Sequence, residues 1–317
     1  MITVLAGGIG GARFIRGVAA AVGADKVTAI VNVGDDLDHV GLRVCPDLDS
    51  ITYWLAGVVH PEQQWGRADE HHVVSEELAR FGHPRWFTLG DRDLAVHLHR
   101  THLMRQGVPL SRATDEIRQA FGIDVQLLPA TDDPVATRIK TADGRDLAFQ
   151  EYWVREQASP VVTDVYLSGA SLAAPAPGVL DAIHRADTVL IAPSNPVVSI
   201  GTILAIPGID DAVRSTSAPV VGVSPIIGGK VVRGMADRLL PAVGAQVSAD
   251  GVARHYGSLL DGWVIDEADR NLCATIEASG ITCQATDTML DDIEVARTVA
   301  LTCLQLAAEL AEQGHRP

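Results

Sequence analysis

Basic residues are scarce in this sequence. The 317 residues include 25 Lys and Arg against 40 Asp and Glu, which gives a net charge of −15. Nucleic acids and anionic membrane surfaces bind basic faces, so the composition argues against both as partners. It does not exclude a small phosphorylated ligand, because a few backbone N–H groups at a helix N-terminus can hold a phosphate.

Cysteines and long apolar runs are also few. The four cysteines, Cys45, Cys273, Cys283 and Cys303, form no C-x-x-C pair, which favours free thiols in a reducing compartment. No apolar run reaches the roughly 18 residues that a membrane span needs. The N-terminal residues lack the basic and cleavage regions of a signal peptide. We therefore expect a cytoplasmic protein.

Short apolar runs alternate with helical patterns along the chain. Runs such as ITVLA, VTAIVNV, TVLIAPS and APVVGVS are typical of buried parallel strands. We predict a single α/β domain over residues 1–317, with a doubly wound, mostly parallel, Rossmann-like sheet. A helical and β-hairpin insertion is expected at about 50–170, its antiparallel part from about 125.

Three local predictions bear on the candidate site. The segment VATRIKTADGRDLAFQEYWVRE (135–156) is predicted to form two strands joined at Ala142-Asp143-Gly144. The segment SITYWLAGVV (50–59) is predicted as a helix, and NPVVSIGTILAI (195–206) as a loop at the end of a strand.

Four glycines follow the first predicted strand. Gly7, Gly8, Gly10 and Gly11 permit a tight turn and close approach to a ligand, and the helix that starts there favours an anion. No Gly-Lys-Ser/Thr follows as in a P-loop, and Arg13 occupies the third glycine position of a dinucleotide fingerprint. A plain strand-to-helix turn is the alternative. We favour contact with a phosphate or nucleotide, because four glycines exceed what a turn requires.

Aspartates crowd the end of the second predicted strand and the segment after it. Asp35, Asp36, Asp38, Asp47 and Asp49 lie within fifteen positions, where like charges repel one another. A helix cap at Asp49 would explain one of them. Mg²⁺, which takes one or two carboxylates together with water and substrate phosphates, would explain several. We interpret the cluster as a metal site.

Two further motifs follow predicted strands. Arg92, in GDRD, could clamp a phosphate or belong to a surface turn and helix cap. Ser194 and Asn195, in APSNPVVSIG, offer polar groups to a ligand. The histidines of His97-x-His99-x-x-His102 do not converge on a helix, which disfavours zinc. No motif of a covalent nucleophile is present, so metal-assisted transfer is the chemistry that these residues favour.

Together these stretches resemble the 2-phospho-L-lactate transferase family, CofD and its bacterial form FbiA. The resembling segments are VLAGGIGGARF, VNVGDD, CPDLDS, WFTLGDRDLAVHL, LLPATDDPV, FQEYWVR, APSNPVVSIG and VSPIIGGKVVRGMAD. The glycine loop with Arg13 and the FQEYWVR form are most similar to the bacterial, phosphoenolpyruvate transferase branch.

The resemblance implies a Mg²⁺-dependent transferase of coenzyme F420 biosynthesis. Such enzymes move a phosphoenolpyruvyl or 2-phospho-L-lactyl group from a guanosine diphosphate donor to the ribityl hydroxyl of Fo (7,8-didemethyl-8-hydroxy-5-deazariboflavin) and release GMP. Known members are dimers, so a homodimer that binds these two small molecules is expected. The sequence leaves open which of the two acids the donor carries.

The resemblance also implies roles for individual residues. The implied metal ligands and catalytic residues are Asp35 and Asp49, with Asp36 and Asp47 as alternatives. The residues implied at Fo are Asp49, Thr88 and Arg92, although a lysine can occupy the position of Thr88 in relatives. The implied nucleotide-binding residues are Gly7, Gly8, Gly10, Gly11, Arg13, Ser194, Asn195 and Ser224.

Two other classes of protein use a similar sheet. A nicotinamide-dependent oxidoreductase would explain the glycine loop but not the aspartates, and Arg13 counts against it. A non-enzymatic regulator of a related cell-wall control family would bind sugar nucleotides or dinucleotides. The CPDLDS and APSNPVVSIG stretches favour the transferase.

Overall fold

The computed structural model describes residues 1–314, so the last three residues of the predicted domain, 315–317, lie outside the described part. The strands, in chain order, are β1 (Ile2–Ala6), β2 (Val27–Val31), β3 (Leu37–His39), β4 (Leu42–Val44), β5 (Gln126–Pro129), β6 (Ala136–Thr141), β7 (Asp146–Ala148), β8 (Val162–Ser168), β9 (Thr188–Ile191), β10 (Val220–Val223), β11 (Ile226–Ile227), β12 (Lys230–Val231), β13 (Gly262–Asp266) and β14 (Thr282–Thr286). The α-helices are α1 (Gly8–Val22), α2 (Pro46–Leu55), α3 (Val73–Arg80), α4 (Asp91–Arg105), α5 (Leu110–Ala120), α6 (Val179–His184), α7 (Gly201–Leu204), α8 (Ile209–Ser215), α9 (Ala236–Leu239), α10 (Ala249–Tyr256), α11 (Cys273–Glu277) and α12 (Ile293–Glu312).

A seven-stranded parallel sheet forms the centre, in the order β14-β13-β10-β9-β1-β2-β5. β1 pairs with β2 on one side and with β9 on the other. The chain therefore winds away from β1 in both directions, which is the doubly wound order of Rossmann-like folds. The predicted fold class is confirmed. In such sheets ligands bind outside the carboxyl ends of the strands, where the winding direction reverses.

Helices cover the sheet, which explains the unbroken apolar runs. Every residue of β1, β2, β9 and β10 is buried, as expected for parallel strands with both faces covered. The long helix α12 packs against α1 and β13. Within residues 1–314 no single helix has the length and apolar composition of a membrane span. One pair of helical segments, Pro196–Leu204 and Ile209–Ser215, reaches that length and composition only when the two are taken together, and they are bent by 85° relative to each other.

The inserted region is not one continuous block. β5 pairs in parallel with β2 at the edge of the central sheet, so the prediction that an antiparallel region begins at about 125 is wrong for these residues. Buried apolar side chains at Val125, Leu127 and Leu128 bring this segment into the main core. The predicted hairpin is confirmed as β6 and β7, and β8 adds a third antiparallel strand.

Two segments form π-helical turns, and the predictions for both were wrong. Glu151–Arg155 was predicted as the end of a hairpin strand, and Pro196–Ile200 as a loop. In the second turn Asn195 Oδ1 accepts hydrogen bonds from the backbone N–H groups of Val197 and Val198, at 2.9 and 3.3 Å. Such turns are frequent at functional sites, and both of these border the cavity described below.

Helix α2 begins four residues before its predicted start. Pro46 takes the first helical position, where its missing N–H costs nothing. Cys45 is the residue that precedes the helix, so Asp49 is not its N-cap. Asp47 and Asp49 instead lie in the first turn, where the helix dipole favours negative charge.

The contact between α1 and α12 gives a stability prediction. A Cβ at Gly17 would overlap the backbone carbonyl of Ala296 in α12. Gly17→Ala is therefore expected to lower the free energy of unfolding by about 2 kcal/mol, as overpacked sites do, although alanine is the better helix former. Thermal and urea unfolding would measure this.

A matched substitution in the same helix separates packing from helix propensity. Ala20 is exposed on α1, so Ala20→Gly should cost only about 1 kcal/mol through propensity. An unfolding midpoint that rises in Gly17→Ala would contradict the close helix contact.

Candidate active site

A cavity of about 630 Å³ opens at the carboxyl ends of β1 and β9. The loop and helix start after β1 form one wall, and residues 193–195 after β9 form the next. Aspartates from the β2–α2 region, the two π-helical turns and residues 231–236 form further parts of the wall. The cavity thus lies at the switch point of the sheet, where this fold places its ligands.

The glycine loop is shaped by contacts within the protein. A Cβ at Gly7 would lie 2.5 Å from Asp47 Oδ2, and one at Gly10 would lie 2.7 Å from the carbonyl oxygen of Pro193. Gly11 lies against Ser194 and is not among the described residues that line the cavity. Packing against neighbouring loops thus accounts for three of the glycines, an explanation that the sequence analysis did not consider.

Two buried carboxylates form the acidic part of the cavity. Burial raises the pKa of Asp35 well above its usual range, and the nearby charge of Asp47 raises it further. Burial also raises the pKa of Asp47 to about 6, against the opposing hydrogen bond from Asn32. Asp35 Oδ1 is buried and has no hydrogen-bond partner within residues 1–314. This corner therefore has a deficit of positive charge.

Asn32 orients this corner and was missed by the sequence analysis. Its Nδ2 donates to Asp47 Oδ2 at 2.9 Å. Its Oδ1 accepts from the backbone N–H of Gly34 at 2.8 Å and from the hydroxyl of Thr202 at 2.5 Å. Its position directly after a buried strand, in VNVGDD, is the sequence feature that could have identified it as a site residue.

Asp36 and Asp38, two other aspartates of the cluster, do not face the cavity. Burial raises the pKa of Asp36 to about 7, although the Arg43 guanidinium, 3.1 Å away, opposes the shift. Asp38 is exposed on β3. Neither is among the described residues that line the cavity.

Asp49 lines the cavity but is held by an ion pair. The two terminal nitrogens of Arg100 bond its two oxygens, Nη2 to Oδ1 and Nη1 to Oδ2, the latter at 3.1 Å. The backbone N–H of Cys45 donates to Oδ2 at 3.3 Å. His97 Nδ1 lies 3.5 Å from the same oxygen. Unlike Asp35 and Asp47, Asp49 thus has a cationic partner.

The network continues away from Asp49 through His97. His97 Nε2 lies 3.2 Å from Asp93 Oδ1, and the hydroxyl of Tyr53 donates to the same oxygen. Burial opposes ionisation of Asp93, yet the hydrogen bond and charge of His97 leave its pKa below the usual value. His99, two residues on, is half exposed near Glu116, so the two histidines have separate surroundings.

Most of the predicted binding residues line the cavity, but their side chains are occupied. Ser194 Oγ accepts from the N–H of Gly7 at 3.0 Å and donates to its carbonyl oxygen at 2.7 Å. Ser224 Oγ bonds both backbone groups of Ile226. These hydroxyls therefore hold the backbone in place at Gly7 and at Ile226. Asn195 and Thr88 also line it.

Arg92 is a predicted site residue that lies outside this arrangement. Its side chain is 54% exposed and lies 3.9 Å from Asp69. It is not among the described residues that line the cavity. Its position in α4 explains this, because Asp93 and His97 of the same helix face the cavity instead.

Two arginines also line the cavity. Arg13 Nη1 pairs with Asp291 at 2.7 Å, and its guanidinium lies 5.2 Å from the centre of the Trp54 ring. Arg233 donates to the carbonyl oxygen of Gln63 at 2.6 Å. Burial, and then the charge of Arg13, lower the pKa of Arg233. The two guanidinium groups therefore repel each other, and an anion would relieve this.

Aromatic side chains form a third part of the wall. Aromatic residues make up only 4% of the chain. Six of them line this one cavity: Tyr53, Trp65, Trp86, Phe87, Phe149 and Trp153. Such concentration favours a ligand with a planar ring system.

Similarity to known proteins agrees with the site. A family model described as 2-phospho-L-lactate transferase CofD matches residues 2–302. Proteins named phosphoenolpyruvate transferase are 50% identical in Kitasatospora aureofaciens (98% of each chain covered) and 49% identical in Thermobifida fusca (99% of each chain covered). A solved Bacillus halodurans structure of the UPF0052 family shares the fold, with a TM-score of 0.63 at 18% identity over 96% of this chain and 98% of that chain.

The fold and the cavity define a doubly wound α/β enzyme with its ligand site at the switch point. The chain belongs to the 2-phospho-L-lactate transferase family, CofD, and is an enzyme that transfers a phosphorus-containing group. The resemblance found in the sequence is thereby confirmed.

The acidic corner predicts how stability depends on pH. The pKa of Asp47, about 6, exceeds the usual 3.8, so the native state holds this proton more tightly than the unfolded state. The free energy of unfolding should therefore decrease by on the order of 2–3 kcal/mol as the pH rises from about 4 to about 6, and it should stay at the lower value above that pH. Asp47→Asn should raise the unfolding midpoint of the metal-free protein at pH 8 by a few degrees.

The exposed Asp124 supplies the control, because Asp124→Asn removes an equal charge without removing a buried one. Differential scanning fluorimetry across pH 4–9 would compare the variants. A midpoint that falls in Asp47→Asn at pH 8 would contradict an uncompensated charge at this position.

Proposed function

We propose that this protein is a Mg²⁺-dependent phosphoenolpyruvate transferase of coenzyme F420 biosynthesis. The ribityl hydroxyl of Fo attacks the phosphorus that carries enolpyruvate in a guanosine diphosphate donor. A new O–P bond forms there, the bond to GMP breaks, and the hydroxyl proton is lost. The names of the relatives at 45–50% identity support the enolpyruvyl rather than the lactyl donor.

The observation that carries this proposal is that one cavity combines three chemically different surfaces. Buried carboxylates, two arginines and six aromatic rings all line it. A divalent cation, a diphosphate and two ring systems match these surfaces in turn. A nicotinamide cofactor would leave the carboxylates unexplained.

Asp35 and Asp47 are the proposed Mg²⁺ ligands. The buried, unpartnered Oδ1 of Asp35 and the raised pKa values of both groups fit a cation at this corner. The resemblance favoured Asp49 as the second ligand, but Arg100 engages both of its oxygens, so the proposal uses Asp47. When bound, Mg²⁺ would offset the charge of the donor diphosphate.

Asp49 keeps its proposed place beside the Fo hydroxyl, and Thr88 lines the same cavity. An ionised carboxylate offers about four acceptor sites. Asp49 can therefore accept the hydroxyl hydrogen bond while it remains paired with Arg100. This hydrogen bond orients the nucleophile. Phosphoryl transfer depends on such positioning more than on covalent catalysis by the protein.

Arg13 and Arg233 are proposed to hold the donor phosphates. Both line the cavity, and both can form charge-assisted hydrogen bonds to phosphate oxygens. Backbone groups of the glycine loop and the start of α1 add to this anion site. The expected homodimer is part of the proposal by family membership alone.

A coupled assay tests the function directly. With Fo, Mg²⁺ and the enolpyruvyl donor, we expect the phosphodiester product and GMP in equal amounts, measured by chromatography and mass spectrometry. Asp49→Asn should lower kcat by about 100-fold, the scale of a misplaced reactant. It should also lower the unfolding midpoint, because the buried Arg100 loses its ionic partner, so kcat is measured at a temperature well below that midpoint.

Other outcomes would correct specific parts of the proposal. A faster reaction with the lactyl donor would show that the enzyme transfers the 2-phospho-L-lactyl group rather than the phosphoenolpyruvyl group. Bound Fo without product from either donor would mean a different donor. Absence of Fo binding, with stabilisation by sugar nucleotides or NAD instead, would favour the regulator class and refute the transferase reaction.

Arg233 provides a separate test of the donor site. Arg233→Gln should raise the KM for the guanosine donor by about 10-fold, because a charged contact to phosphate is replaced by a neutral one. The KM for Fo should change little. Arg254→Gln, on α10 and paired with Asp250, controls for charge loss, and equal effects in both variants would refute the role of Arg233.

A further inference from the structure

Arg100 is a buried charge whose cost requires an explanation. Its side chain is 2% exposed, and its ion pair with Asp49 is enclosed by protein. Buried ion pairs are often no more stabilising than apolar side chains of similar volume. Arg100 Nε has no hydrogen-bond partner within residues 1–314. Stability alone therefore does not account for this guanidinium.

The geometry around Asp49 supplies an explanation. Arg100 Nη1 and the N–H of Cys45 both donate to Oδ2, while Nη2 of Arg100 donates to Oδ1. Each carboxylate oxygen accepts about two hydrogen bonds. Among the donors of residues 1–314 this leaves one acceptor site, on Oδ1, and Asp49 lines the cavity.

The side chains around Asp49 come from two helices, α4 and α2, and helical spacing brings them together. Asp93, His97 and Arg100 share one face of α4, because positions three and four apart are neighbours on a helix. Asp49 and Tyr53 are likewise neighbours on α2. The contact of His97 with Asp49 and the hydrogen bond from the Tyr53 hydroxyl to Asp93 link the two helices.

We propose that Arg100 is a positioning residue for the transfer reaction, with His97 in support. Arg100 fixes the Asp49 carboxylate so that the free acceptor site of Oδ1 receives the hydrogen bond of the attacking hydroxyl. His97 fixes the spacing between α2 and α4 and thereby the position of Arg100. This inference rests on the proposed function, because it requires a hydroxyl nucleophile at Asp49.

The test is a double-mutant cycle on the full chain. Arg100→Lys keeps the charge but loses the two-pronged contact, and it should lower kcat by about 10- to 100-fold with the donor KM unchanged within twofold. In the Asp49→Asn background, Arg100→Lys should have no further effect, because it acts through that carboxylate. Arg254→Lys on α10 should leave kcat unchanged.

The unfolding midpoint of Arg100→Lys shows whether this variant folds. If it does not, substitutions of His97 provide a second test. His97→Asn retains a polar group near the Nδ1 position and should keep more kcat than His97→Ala, at similar unfolding midpoints. A purely structural role would instead make kcat follow the midpoint.

Two results would overturn the inference. Effects of Arg100→Lys and Asp49→Asn that multiply would show that the arginine acts independently of the carboxylate. A kcat unchanged in Arg100→Lys would show that Asp49 needs no fixed orientation. Both leave the proposed function standing, whereas absence of turnover in the unsubstituted protein would refute the proposed function and this inference with it.

Discussion

Two buried carboxylates have no cationic partner in the described part of the chain, and this is the constraint on which the site depends. Asp35 follows the end of β2 and Asp47 lies in the first turn of α2, so the fold itself brings them together. Asn32 and the glycine loop hold them there. Such an arrangement weakens the protein and is tolerated at sites where a ligand supplies the missing charge.

The aspartates differ in function because they differ in partners. Of the four buried aspartates of the cluster, Asp36 pairs with Arg43 and Asp49 pairs with Arg100. Asp35 and Asp47 have no cationic partner within residues 1–314, and Asp38 is exposed to solvent. A group of like residues in sequence is thus divided into a proposed metal pair, a proposed hydroxyl acceptor and a structural ion pair. This division depends on two arginines: Arg43 lies within the same segment, and Arg100 lies on α4, 51 positions from Asp49.

The fold was predictable because its signals are local. Apolar runs, helical spacing and the turn at Gly144 marked the sheet and the hairpin. The π-helical turns were not predictable, because they depend on caps such as Asn195 and on packing. Arg100 was missed because it lies 51 positions from Asp49, and Arg92 was misplaced because the sequence did not show which face of α4 meets the cavity.

The most direct test of the central claim is a titration with Mn²⁺ as the spectroscopic substitute for Mg²⁺, followed by electron paramagnetic resonance, with and without GDP. If the acidic corner and the arginines together hold a cation and a diphosphate, GDP should tighten Mn²⁺ binding by about 10-fold or more, and Mn²⁺ should tighten GDP binding equally. The account would be contradicted if the affinity for Mn²⁺ did not change when GDP is added. It would also be contradicted if GDP bound in the presence of Mn²⁺ with unchanged affinity to Asp35→Asn and to Asp47→Asn.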